Sequence, residues 1–86
     1  MFPRVGDVVN VKFKQGTELG ALVTLPDYDN VQAMVLASEV GRRRYMFDVQ
    51  AECAFRMRNV KQAIVLRVDE ERGYIDLSVK RLPQRN

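Results

Sequence analysis

The sequence predicts an all-β fold, a small closed barrel of five short strands. Three observations carry that prediction. Apolar and polar residues alternate at period two in several separate stretches. Gly, Pro, Asp and Asn cluster between those stretches. Finally, 86 residues leave room for one core only, and a chain this short hides roughly two thirds of its unfolded surface at best, which favours a compact, closed arrangement. Residues 1–86 are therefore expected to form a single domain.

The elements follow in order. Over residues 7–14, Val9, Val11 and Phe13 share one face while Asn10, Lys12 and Lys14 take the other, as a half-buried strand requires. A turn containing Gly16 leads to residues 19–25, with Ala21, Val23 and Leu25 inward, Leu22 and Thr24 outward, and Gly20 placed for a bulge or a close backbone approach. Pro26-Asp27-Tyr28-Asp29-Asn30 is loop chemistry. A third strand over residues 32–37 runs into Ser38, whose hydroxyl is expected to cap one helical turn starting at Glu39. The fourth strand spans residues 61–69, with Ile64, Leu66 and Val68 inward and Arg67 in water. A hairpin at Glu70-Glu71-Arg72-Gly73 then needs positive φ at the glycine, and residues 74–80 return with Ile75, Leu77 and Val79 inward. Five strands with one long connection between the third and fourth suit a Greek-key barrel of the OB type. That connection, residues 41–59, is expected to be partly mobile, and a short helix over residues 47–53 stays open.

Composition narrows the function. With no histidine and a single cysteine, neither a Ser-His-Asp relay nor a zinc site of the usual ligands is available, and no catalytic residue, metal or cofactor is expected. Cys53 reads as a small hydrophobe. Asp27 and Asp29, like Glu70 and Glu71, read as solvated turn charges. No apolar stretch approaches a membrane span or a signal peptide, so a cytoplasmic location is expected.

Charge points to a partner. From Arg42 to Lys61 there are six basic residues, Arg42, Arg43, Arg44, Arg56, Arg58 and Lys61, against Asp48 and Glu52. This stretch carries +4 and the rest of the chain −1, so the overall +3 is concentrated on one connection, the footprint of a phosphate-contacting or acidic-partner surface. Three consecutive arginines supply forks suited to bidentate phosphate contacts.

Several motifs carry a resemblance. Phe2-Pro3, Gly6-Asp7-Val8-Val9, Leu19-Gly20-Ala21-Leu22-Val23, Asp27-Tyr28-Asp29-Asn30, Met34, Ser38-Glu39-Val40, Arg42-Arg43-Arg44, Arg67-Val68-Asp69 and Gly73-Tyr74-Ile75-Asp76-Leu77-Ser78 follow one another from Phe2 to Arg81. In that order the chain resembles the N-terminal S1 domain of the alpha subunit of eukaryotic translation initiation factor 2. The resemblance implies an S1-type OB barrel. It also implies a role in delivering initiator tRNA to the small ribosomal subunit, with the other factor subunits and mRNA as further partners. In that family a serine after the third strand is phosphorylated by stress-activated kinases, which also grip the barrel away from the acceptor. Carried over by position, the grip falls on Arg72, Gly73, Tyr74, Ile75 and Asp76, with Arg72 replacing the usual lysine. The acceptor falls on Gly41, which has no hydroxyl to modify. Ser38 is three residues away and reads as structural. The connection is about three residues longer than usual, so no family role is carried onto residues 45–58.

RNA-binding S1 domains in general place phenylalanines and a histidine near the positions held here by Leu19, Leu22 and Leu36, leaving Tyr74 as the aromatic of that face. Each lost stacking platform removes roughly 1 to 3 kcal/mol, so weak RNA binding in isolation is expected. Tyr45, Phe47 and Phe55 in the long connection either compensate or pack that connection onto the barrel. A second reading stands beside the factor: a viral decoy that resembles this domain, occupies the kinase and offers nothing to phosphorylate. A retained grip, a missing acceptor, a length near that of the bare domain and the basic end from Lys80 to Arg85 suit it.

Overall fold

The computed structural model describes residues 1–41 and 48–83. Its elements are β1 (Val8–Asn10), β2 (Lys12–Gly16), β3 (Gly20–Leu25), a 3-10 turn at Pro26–Tyr28, β4 (Val31–Leu36), α1 (Ala37–Val40), α2 (Val49–Met57), β5 (Gln62–Asp69) and β6 (Tyr74–Ser78). The first strand of the alternation is thus two, divided at Val11. β1 pairs with β5 and β2 with β3, both antiparallel, so the halves of one extended segment lie at opposite ends of the order β1-β5-β6-β4-β3-β2. The sheet curls back on itself through Val11, whose N–H donates to the Lys61 carbonyl at 2.9 Å. Alternation did not reveal the bend because both halves keep one phase: Val9 and Val11 are buried and Phe13 packs on the core. The result is the expected all-β, OB-like class, built as a curled half-barrel of six strands rather than five.

β3 behaves as the sequence predicts. Ala21, Val23 and Leu25 are fully buried, and Gly20 sits at φ +157°, where a Cβ would run into the Val35 carbonyl oxygen. Asp29 and Asn30 turn the chain with φ of 57° and 58°, left-handed values that Asp and Asn tolerate better than most residues. The turn before β3 centres on Thr17 rather than Gly16, the Thr17 hydroxyl accepting from the Gly20 N–H at 3.0 Å.

β5 departs from its predicted phase. Ala63 and Val65 are buried, whereas Ile64 and Leu66 are only partly so. The pairing with β6 shifts between Val65 and Arg67, and this bulge reverses the alternation, so that Val65 and Val68 both face the core. In β6, Ile75 and Leu77 are buried as expected, and the preceding Gly73 takes φ +74°.

Ser38 does not cap α1. The helix starts two residues earlier than expected, at Ala37 behind Leu36, so Ser38 lies inside it with an exposed side chain. The long connection also holds more order than the sequence suggested. Asp48 accepts the Ala51 N–H at 3.1 Å and caps α2, a nine-residue helix that starts later and runs further than residues 47–53. Val49, Cys53 and Met57 recur every four residues on one face, and the last two are fully buried against β2 and β3. The contact is close at Gly16, where an added Cβ would strike the Gln50 carbonyl oxygen.

Candidate interaction surfaces

Two surfaces gather the residues singled out from the sequence. The first is a groove of about 370 Å³ across β3, β4 and β6, lined by Leu19, Leu22, Met34, Leu36, Tyr74 and Asp76 together with Gln32, Ala33, Arg67, Gly73 and Ile75. Strand register builds it. Leu22 lies opposite Met34, Met34 beside Asp76, and Asp76 opposite Arg67, a row across four strands. Leu19 is 67% exposed and Tyr74 56% exposed, large apolar surfaces that the fold leaves uncovered. Asp76 is held by Arg67 at 3.1 Å. The groove therefore unites Gly73, Tyr74 and Asp76 with the leucines that stand where stacking aromatics were expected.

Two residues of the same predicted grip lie differently. Ile75 is only 2% exposed and serves the core. Arg72 is exposed on the hairpin, its N–H donating to Asp69 Oδ1 at 3.2 Å, and it does not line the groove.

The second surface is the outer face of α2 and its exit. Arg56, Arg58 and Lys61 are exposed, and no carboxylate interrupts residues 54–61. Phe55 projects from the same helix at 69% exposure with the Arg58 guanidinium 5.3 Å from its ring centroid. Of the two roles open to Phe55, packing onto the barrel is not the one it takes. Gly41 borders this surface: a Cβ there would come within 2.8 Å of Arg56 Nη1. Its φ of −166° is extended backbone that any residue adopts. Arg42, Arg43, Arg44, Tyr45 and Phe47 lie outside the described residues.

A third feature joins the two halves, and sequence reasoning missed it. Glu39 of α1 is 9% exposed and accepts from Ser78 Oγ at 2.8 Å, Arg81 Nε at 3.0 Å and Arg81 Nη2 at 3.2 Å. Its backbone carbonyl accepts from the N–H groups of Val79 and Lys80, each at 3.0 Å. Burial alone would push the Glu39 carboxyl up, but the Arg81 and Ser78 hydrogen bonds outweigh it and hold the group below the usual carboxylate range. The clamp fixes the end of β6 to the root of the arginine-bearing connection. Its signal in the sequence was faint: a lone acid beside apolar residues, with partners about 40 positions away.

Cys53 is buried, which raises its thiol pKa and disfavours the reactive thiolate. Among the described residues no three His, Cys, Asp or Glu side chains come together as a metal site, and no helix is long and apolar enough to cross a membrane.

The S1 RNA binding domain family matches residues 3–80. An alpha-subunit homolog of eukaryotic translation initiation factor 2 from Arabidopsis thaliana is 36% identical over 83 residues, 96% of this chain but only 23% of that protein. The chain thus spans about a quarter of the relative's length. Among solved structures, the complex of initiation factor 2 alpha with aDim2p and rRNA from Pyrococcus horikoshii superposes with a TM-score of 0.80 at 29% identity, over 98% of this chain and 48% of that one. A vaccinia virus protein (Wisconsin strain) superposes with a TM-score of 0.61 at 26% identity, over 100% of this chain and 99% of that one.

Proposed function

We propose, from the premise that this chain belongs to the S1 RNA binding domain family, that it acts as the S1 domain of an initiation-factor-2-alpha-like protein. In this reading it is a cytoplasmic binding module rather than an enzyme. With the other subunits of the factor and mRNA as partners, it helps place initiator tRNA on the small ribosomal subunit. The observation that carries the reading is the extent of the similarity to an initiation-factor alpha subunit, which runs through 96% of the chain and so takes in the connection as well as the strands.

Within that role, Arg42, Arg43, Arg44, Arg56, Arg58 and Lys61 contact RNA phosphates. Gly41 occupies the acceptor position without an acceptor. Its extended backbone does not call for glycine, and an added Cβ would meet only the flexible end of Arg56, so what glycine removes there is the chemistry of a hydroxyl.

A second reading draws on the groove. Tyr74 and Asp76 are presented together beside exposed leucines, while Gly41 offers no group to esterify, as a decoy for a stress-activated kinase would require.

One comparison tests both. Changing Arg42, Arg43 and Arg44 together to Ala should weaken assembly with ribosome-bound RNA and make its logarithmic salt slope shallower by roughly 2 to 3. An unchanged slope removes phosphate contact by the triplet. In the decoy reading the wild-type chain inhibits the kinase competitively and Tyr74→Ala abolishes inhibition. Absence of inhibition well above cellular concentrations removes that reading.

A further inference from the structure

The barrel face and the α2 face divide between them what single-stranded RNA needs. An S1-type barrel ordinarily stacks bases on its sheet within a basic groove. Here the corresponding groove is lined mainly by leucines and methionine with Tyr74 as its one aromatic, and its charges, Arg67 and Asp76, neutralise each other at 3.1 Å. Exposed positive charge and a projecting aromatic occur instead on α2. Phe55 is 69% exposed, with Arg58 over its ring, Arg56 beside it in a shared surface hollow, and Lys61 exposed where the chain leaves the helix.

A cation–π pair so exposed adds little to folding. Its composition, however, matches a nucleotide: an aromatic ring and a guanidinium plane both stack on a base, and neighbouring cations donate to the phosphates on either side. Glu52 lies one turn before Arg56 and shares a surface hollow with it and Phe55, so the surface is mixed in charge on its N-terminal side. The basic, carboxylate-free stretch runs the other way, from Ala54 to Lys61.

We propose that Phe55 and Arg58 form a nucleobase-stacking site for single-stranded RNA on α2, with Arg56 and Lys61 as its phosphate ligands. The RNA-stacking function of this chain has moved from the sheet to the helix. This rests on the phosphate-contact reading above and adds the base-binding element to it.

The test is a fluorescence anisotropy titration of a short labelled oligouridine with the full chain at low and moderate salt. Phe55→Leu, which keeps an apolar side chain but removes the ring, should weaken binding about tenfold, and Phe55→Trp should restore it. Arg56→Ala should weaken binding and make the salt slope shallower by about 0.7. Tyr74→Ala should leave the affinity within about twofold, because the groove is not the stacking site. Phe55 is exposed, so its variants are expected to keep the fold, which circular dichroism checks.

If Phe55→Leu binds like the wild type while the salt slope persists, phosphate contact stands and the stacking site falls. If Tyr74→Ala is the variant that loses affinity, bases stack on the sheet and the inference is overturned. Should polyglutamate compete equally well whether or not Phe55 is present, the surface serves an acidic protein and the inference again fails. No binding by the wild-type chain at low salt removes both this inference and the phosphate-contact reading.

Discussion

The groove over β3, β4 and β6 and the face of α2 are built by opposite means. The groove is a product of register: Leu22, Met34, Asp76 and Arg67 line up across four strands whose inner faces form the core, so its shape is as rigid as the barrel. The α2 face depends on a helix that owes its place to two buried side chains, Cys53 and Met57, and to the Asp48 cap. One surface is apolar and internally neutralised, the other basic with a single aromatic. A small barrel can therefore present two chemically different surfaces when the second is placed on a helix instead of on the same strands.

The sharpest way to break this comparison is to unseat α2. Met57 is fully buried, and Met57→Ala should lower stability by about 2 to 4 kcal/mol, read as a fall in the urea midpoint. RNA affinity should fall with it, whereas competition by Tyr74-dependent partners should survive wherever the barrel stays folded. Equal loss at both surfaces would show that they form one cooperative unit.

A smaller effect is expected at the clamp between them. The folded Glu39 carboxyl is held below its unfolded value, so its stabilisation is complete above the unfolded carboxylate pKa and drains away as pH falls through the lower folded one. Glu39→Gln should remove that acid-side slope. At neutral pH it should lower stability by roughly 1 to 2 kcal/mol, since Ser78 and Arg81 keep only a neutral acceptor and Arg81 is largely in water. A pH–stability profile unchanged by the substitution would remove Glu39 as the titrating group.

The smallest effect belongs to the groove. Arg67→Ala opens the ion pair with Asp76, but the arginine side chain is 70% exposed, so the cost should stay within about 1 kcal/mol in thermal unfolding. Its value lies in sharpening the contrast: the variant gives the groove an unneutralised carboxylate while leaving the charges of α2 untouched.

Much of the barrel was legible because alternation reports burial directly wherever a strand runs straight. Ala21, Val23 and Leu25 show this, as do Ile75 and Leu77, and Gly73 announced its own positive φ. The phase failed at β5, where a bulge that no residue type advertises sets Ala63 and Val65 inward in place of Ile64 and Leu66. The α2 helix was half visible. Its cap at Asp48 and the spacing of Val49, Cys53 and Met57 were in plain sight, but a nine-residue amphipathic segment has little helical preference until a surface covers its apolar face.

By itself, then, the sequence determined the all-β class, most of the inward-facing set, the concentration of positive charge and the absence of a hydroxyl at Gly41. These are local properties, carried by residue identity and short-range periodicity. Tertiary structure alone decided that the face the resemblance gave to Leu19, Leu22, Leu36 and Tyr74 is a groove closed by Met34 and the Arg67–Asp76 pair, that Phe55 faces water beside Arg58, and that Glu39 meets Ser78 and Arg81. Each of those depends on contacts between segments far apart in the chain, whose partners are set by strand register and by the seat of one helix, and neither is written in any short stretch of residues.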